Sequence, residues 1–69
     1  MMLMKVGTLV SSLVNFDLID GTKVSEGDIG IILENELAAS EHFFTDFDYK
    51  IVINSREIYV FKDEIEPYT

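Results

Sequence analysis

The chain has no cysteine and no tryptophan, one proline, one histidine, and only five lysine and arginine residues. Without cysteine there is no disulfide framework and no thiolate metal site. A small secreted domain usually depends on such staples, so the expectation is a reducing compartment, a cytoplasm. No apolar run approaches the roughly 20 residues that a membrane-spanning helix needs. The opening "MMLMK" is apolar but too short for a signal-peptide core, and reads as an initiator methionine followed by an edge strand. The shortage of cations is sharpest against 13 aspartate and glutamate residues, which leave a net charge of −8. Phosphate neutralisation supplies most non-specific affinity for nucleic acid. Five scattered cations do not supply it, so direct DNA or RNA binding is not expected. The plain reading of the acidic surplus is solubility.

What is present describes one globular domain, residues 1–69. Hydrophobic residues make up 48% and charged residues 26% of the 69, a globular composition and not that of a disordered chain. A chain of this size buries only about 60% of the surface its unfolded form exposes, so its stability is on the order of a few kcal/mol.

Strand signals dominate. "VGTLVSSLVNF" (Val6 to Phe16) is rich in branched apolar residues. "NFDLIDGTKVSEG" is too polar for a core strand and reads as a long folded-back loop, a hairpin whose arms flank the Asp20-Gly21 turn signal and which closes at Gly27. In "DIGIILENE" the residues Ile29, Ile31 and Leu33 share one face, and Gly30 on the other marks a bulge or a close backbone approach. "LAASEHFFTDFD" (Leu37 to Asp48) reads as a loop with a helical turn near 37–42. "DYKIVINSREIYVFKDE" carries the clearest pattern: two period-2 runs flanking Asn54-Ser55, a two-residue turn because asparagine tolerates positive φ. Pairing through it sets Ile53 opposite Arg56, Ile51 opposite Ile58 and Tyr49 opposite Val60. One face then carries Tyr49, Ile51, Ile53, Ile58 and Val60, and the other Asp48, Lys50, Val52, Glu57, Tyr59 and Phe61. Asp63 to Glu66 reads as one helical turn, and Pro67 suits a short last edge strand. The expected core is Val6, Leu9 or Val10, Ile29, Ile31, Leu33, Ile51, Ile53, Ile58 and Val60.

The order is strand, long loop, strand, medium loop, strand, tight hairpin, strand, helical turn, short strand. That is the order of an all-β, SH3-like barrel of about five strands. An OB-fold is the structural competitor, but it wants a helix between its third and fourth strands and more residues overall. Gly7 with Val10 in "KVGTLV", then Gly27, Gly30 and Ile32 in "EGDIGIILE", resemble the glycine pattern of KOW-type SH3-like barrels. That resemblance implies a tight turn and a crowded barrel corner. It also implies ribosome or RNA binding, for which Asp17, Asp20 and Glu26 stand where basic residues would be wanted. "YKIVINSREIYVFKDEIEPY", taken with "KVGTLV" and "GIILE", also resembles small, mostly uncharacterised proteins of tailed bacteriophages, which implies a viral origin and a host-cell cytoplasm. The groove of signalling SH3 domains is not spelled out. No tryptophan opens the third strand, and Pro67-Tyr68 comes too late for the usual proline and tyrosine pair.

No catalytic constellation emerges. His42 lies beside Phe43 and Phe44 with no partner nucleophile, and reads as a surface or packing residue. The carboxylates Glu34, Glu36, Glu41, Asp46 and Asp48 lack the spacing of a calcium loop, and the glycines of "IDGTKVSEGD" lack a phosphate-binding Gly-Lys-Ser/Thr. The expectation is no enzyme, no metal and no cofactor. The aromatic residues pose the better question. Tyr59 and Phe61 fall on the face opposite the core residues of the hairpin: either the long loop folds over them, or they form the centre of a partner surface. The leading expectation is a non-catalytic module that binds a protein partner bearing a basic patch. Phe16, Phe43, Phe44, Tyr59 and Phe61 would make the contact, with carboxylates steering the approach. The alternative is a nucleic-acid mimic that fills the basic cleft of a host protein. A KOW-like nucleic-acid or transcription-complex module is the third.

Overall fold

The computed structural model describes residues 4–35 and 47–68. Seven strands occur among them: β1 (Leu9–Ser12), β2 (Phe16–Asp17), β3 (Lys23–Val24), β4 (Ile29–Glu34), β5 (Tyr49–Ile53), β6 (Arg56–Val60) and β7 (Ile65–Pro67), with a single 3-10 turn (Lys62–Glu64) before the last. Five of them form one sheet in the order β6-β5-β4-β1-β7, and β2 pairs with β3 as a separate ribbon. The pairings are antiparallel throughout.

The β5–β6 hairpin has the expected register, from Ile53 opposite Arg56 to Tyr49 opposite Val60. Its turn is made by Asn54 (φ 52°) and Ser55 (φ 65°), the only non-glycine residues with positive φ among the described residues. Two such residues make the primed turn whose twist matches that of the flanking strands. The Asn54 side chain ties the turn to the long loop, donating from Nδ2 to the Lys23 carbonyl (3.0 Å) and to Asp28 Oδ2 (2.9 Å). The loop folds back as expected: β2 and β3 flank Asp20-Gly21, with Phe16 opposite Val24. Gly27 has φ 93°, and its N–H donates to the Ser12 carbonyl at 2.7 Å, extending the β1–β4 ladder.

The core lies between the sheet and the ribbon: Val10, Val24, Ile32, Tyr49, Ile51, Ile53, Val60 and Ile65 are buried, with Met4, Phe16 and Ile58 packed against them. The phenol of Tyr49 is satisfied by the Met4 N–H at 3.0 Å. Buried Ser12 donates to the Val14 carbonyl at 2.6 Å.

Four expectations need correction. In β4 the core face is Gly30 and Ile32, not Ile29, Ile31 and Leu33: Ile32 is 1% exposed, whereas Ile29 is 41% and Leu33 37% exposed, and Ile31 is half-buried. Gly30 is the inward residue between Val10 and Ile53, where its neighbours leave no room for a side chain. In β1 the buried residue is Val10, while Val6 and Leu9 are exposed. Of "MMLMK", residues 1–3 lie outside the described residues, and Met4 and Lys5 are not in a strand. The last helical turn begins one residue early, at Lys62, and ends at Glu64, because Ile65 pairs with Ser12 to start β7. The helical turn expected near 37–42 falls outside the described residues.

Candidate functional site

Successive cross-strand partners lay out the outer face of the sheet in rows. One row runs Glu66–Ser11–Ile29, the next Leu9–Ile31–Val52–Glu57. The third runs Glu34–Lys50–Tyr59. The third row depends on a bulge. Between Ile32 and Glu34 the register shifts, so that two β4 residues face one step of β5. A bulge of this kind re-aims the residue that follows it, and Glu34 comes to Lys50 on the outer face instead of continuing the inward set of Gly30 and Ile32.

Lys50 is held between two carboxylates, with Nζ 3.0 Å from Glu57 and 4.0 Å from Glu34. It also lies 5.7 Å from the centroid of the Tyr59 ring, within cation–π range. The hydrogen bond to Glu57 raises the Lys50 pKa above the ordinary lysine value. Beyond this ion triad, Tyr59 begins an aromatic cluster. The Phe47 ring stacks on Tyr59 with centroids 6.0 Å apart and tilts against Phe61 at 4.5 Å. Phe47 and Phe61 remain 37% and 41% exposed. Short backbone links hold both ends. Asp48 N–H donates to the Val60 carbonyl (3.0 Å), Asp48 Oδ2 accepts the Lys62 N–H (2.7 Å), and Glu64 Oε1 accepts the Phe61 N–H (2.8 Å).

Of the expected contact residues, Tyr59 and Phe61 are brought together, through Phe47. Phe16 is not part of this cluster: it packs against the buried core. Phe43 and Phe44 lie outside the described residues, as do His42, Glu36, Glu41 and Asp46. Phe47 was missed as a contact residue. Spacing alone does not point to it: two residues before buried Tyr49, period 2 sets Phe47 on the inward face, and only the folded end of the hairpin brings its ring to Tyr59 and Phe61.

The cations are largely matched with carboxylates. Arg56 Nε donates to Asp20 Oδ2, Lys23 lies 3.9 Å from Asp17, and Lys50 sits in its triad. The Thr22 N–H, then the Arg56 guanidinium, lower the Asp20 pKa to about 2. The Ser25 N–H and the Asn54 amide lower that of Asp28. Among the described residues no three histidine, aspartate or glutamate side chains are grouped as a metal site would require, and no helix is long and apolar enough to cross a membrane. Comparison with family models, with curated proteins and with solved structures gives no match.

Proposed function

We propose that this chain is a non-catalytic binding module that docks a protein partner through the Phe47–Tyr59–Phe61 cluster, on a sheet that closes as an SH3-like barrel. The observation that carries the reading is the cluster itself: three aromatic rings packed on the outer face, two of them more than a third exposed. Burying aromatic area at a rigid site is the most efficient source of contact energy, and interface centres are enriched in such residues. The surrounding carboxylates, Asp48, Glu57 and Glu64, favour a partner whose facing rim is basic. The element order supports the barrel, with its long first loop, primed hairpin and 3-10 turn before a short last strand.

The test is capture from a bacterial lysate, the source to which the resemblance to tailed-phage proteins directs the search, using wild type and Phe61→Ser as baits. The expected result is a protein held by wild type, lost with Phe61→Ser, and retained at about 1 M salt, where the Debye length falls to about 3 Å. A protein released by moderate salt and indifferent to Phe61→Ser would replace this reading with that of a carboxylate mimic of nucleic acid.

A further inference from the structure

The aromatic cluster occupies one side of the ion triad. On the other side the outer face carries several aliphatic side chains and two shallow depressions. One depression of about 310 Å³ is lined by Leu9, Ile29, Ile31, Val52 and Asn54. A second, of about 320 Å³, is lined by Ser11, Ile29, Glu66, Pro67 and Tyr68. Ile29 lines both, so the two adjoin as one shallow trough, aliphatic where it crosses β5, β4 and β1 and more polar where it reaches β7. Leu9 and Ile29 are each more than two fifths exposed, and with half-buried Ile31 and Val52 they set four aliphatic side chains side by side on the outer face.

The cross-strand rows that floor the trough end in carboxylates. The row Leu9–Ile31–Val52 ends in Glu57, and the row Ser11–Ile29 ends in Glu66. At the Asn54 end stands Asp28, whose Oδ2 accepts the Asn54 amide at 2.9 Å. No lysine or arginine lines either depression, and the nearest cation along the face, Lys50, is engaged by Glu34 and Glu57. A second copy of a chain with net charge −8 would bring like carboxylates together at both ends of this trough, which costs energy. A segment with an apolar stripe and flanking lysine or arginine meets an apolar floor and a carboxylate rim at once.

We propose that the trough centred on Ile29 is a second docking site, separate from the aromatic cluster, for a basic amphipathic segment of another protein. Its floor is Leu9, Ile29, Ile31 and Val52, and its rim Asp28, Glu57 and Glu66. The full chain is titrated with a synthetic Leu/Lys peptide patterned for an amphipathic helix, and with a Leu/Glu twin of identical apolar pattern, while backbone amide shifts are followed by NMR. Binding of the Leu/Lys peptide alone is expected, with shifts concentrated at Leu9, Ile29, Ile31 and Val52. Ile29→Ser and Leu9→Ser should each weaken it about tenfold, as truncation of a central interface residue does, and Phe61→Ser should leave it unchanged. Both replaced residues are exposed, and undisturbed amide shifts in the β5–β6 hairpin would verify that each variant folds. Equal binding of both peptides, shifts mapping to the aromatic cluster, or affinity unaltered by both serine variants would overturn the proposal. So would sedimentation of the free chain as a dimer that Ile29→Ser dissolves, which would assign the trough to a second copy. Loss of the lysate partner with Phe61→Ser tests the aromatic reading alone, so either site can fail without the other.

Discussion

At Gly30 an added methyl group would stand 2.6 Å from the Val52 carbonyl oxygen and 3.0 Å from the Ile53 Cβ. Neither neighbour can retreat, because both belong to the central β4–β5 ladder. Gly30→Ala should therefore destabilise by about 1–3 kcal/mol, the usual cost of overpacking, and shift the denaturant midpoint accordingly. Gly27 differs: a methyl group there meets open space, and the penalty comes only from its φ of 93°. Gly27→Ala should cost about 1–2 kcal/mol, the scale of left-handed strain. A Gly27→Asn variant should recover part of that loss, since asparagine tolerates this backbone region better, whereas Gly30→Asn should be worse than Gly30→Ala. Equal responses at the two positions would show that crowding at Gly30 is relieved by strand movement. Asp20 offers a residue-scale test in pH. Its pKa is lowered to about 2 in the folded chain, so the stability it contributes is complete above its unfolded value near 3.9. That contribution is lost as pH falls from there through about 2. Asp20→Asn should lower the thermal midpoint at neutral pH, and the gap to wild type should close below that window. A gap that persists there would mean that the ionised carboxylate, held by the Thr22 N–H and then by Arg56, is not its source.

The elements differ in how plainly the residues announce them. The β5–β6 hairpin was legible to the single residue, because Tyr49 to Ile53 and Ile58 to Val60 alternate and Asn54 permits the primed turn. The Asp20-Gly21 hairpin and the Pro67 edge strand were legible for the same reason, local turn chemistry. The faces of β4 were not. In "IGIILE" branched apolar residues occupy both faces, so alternation carries no sign, and the inward position is filled by a glycine that a hydropathy pattern cannot count as core. The bulge after Ile32 then moves Glu34 to the outer face, a step that depends on pairing with β5 and not on β4 itself. The candidate site was half legible: Tyr59 and Phe61 followed from the hairpin's period, whereas Phe47 joins them only through the pairing. Two substitutions test the hairpin as a unit. Ser55 holds φ 65° without being glycine, so Ser55→Gly should relieve strain and stabilise by up to about 1 kcal/mol. Ile51 is fully buried where β5 joins β4 and β6, and Ile51→Ala should cost about 2–5 kcal/mol. In a domain whose total stability is only a few kcal/mol, that loss should abolish the cooperative urea transition. A midpoint close to wild type would remove Ile51 from the core.

For the whole molecule the decisive quantity is where charge lies, not how much there is. A net charge of −8 repels a polyanion at long range, but a basic stripe on one face could overcome that repulsion locally. The fold does not assemble such a stripe from Lys23, Lys50 and Arg56, since each is placed against a carboxylate: Asp17, Glu34 with Glu57, and Asp20. To contact phosphate, each would have to give up that carboxylate or hold both anions at once. The turn at Gly27 is flanked by Glu26 and Asp28 and by no cation of its own. Titration with mixed single- and double-stranded oligonucleotides at low salt, where electrostatic binding is strongest, should therefore give no saturable binding. Replacing the paired carboxylates should change this in a definite direction. Asp20→Asn with Glu57→Gln frees Arg56 and most of Lys50, raises the net charge by two, and should produce weak, salt-sensitive binding where wild type shows none. Low-micromolar binding by wild type, abolished by Lys50→Glu or Arg56→Glu, would mean that the ion pairs open readily and that the cations serve nucleic acid after all.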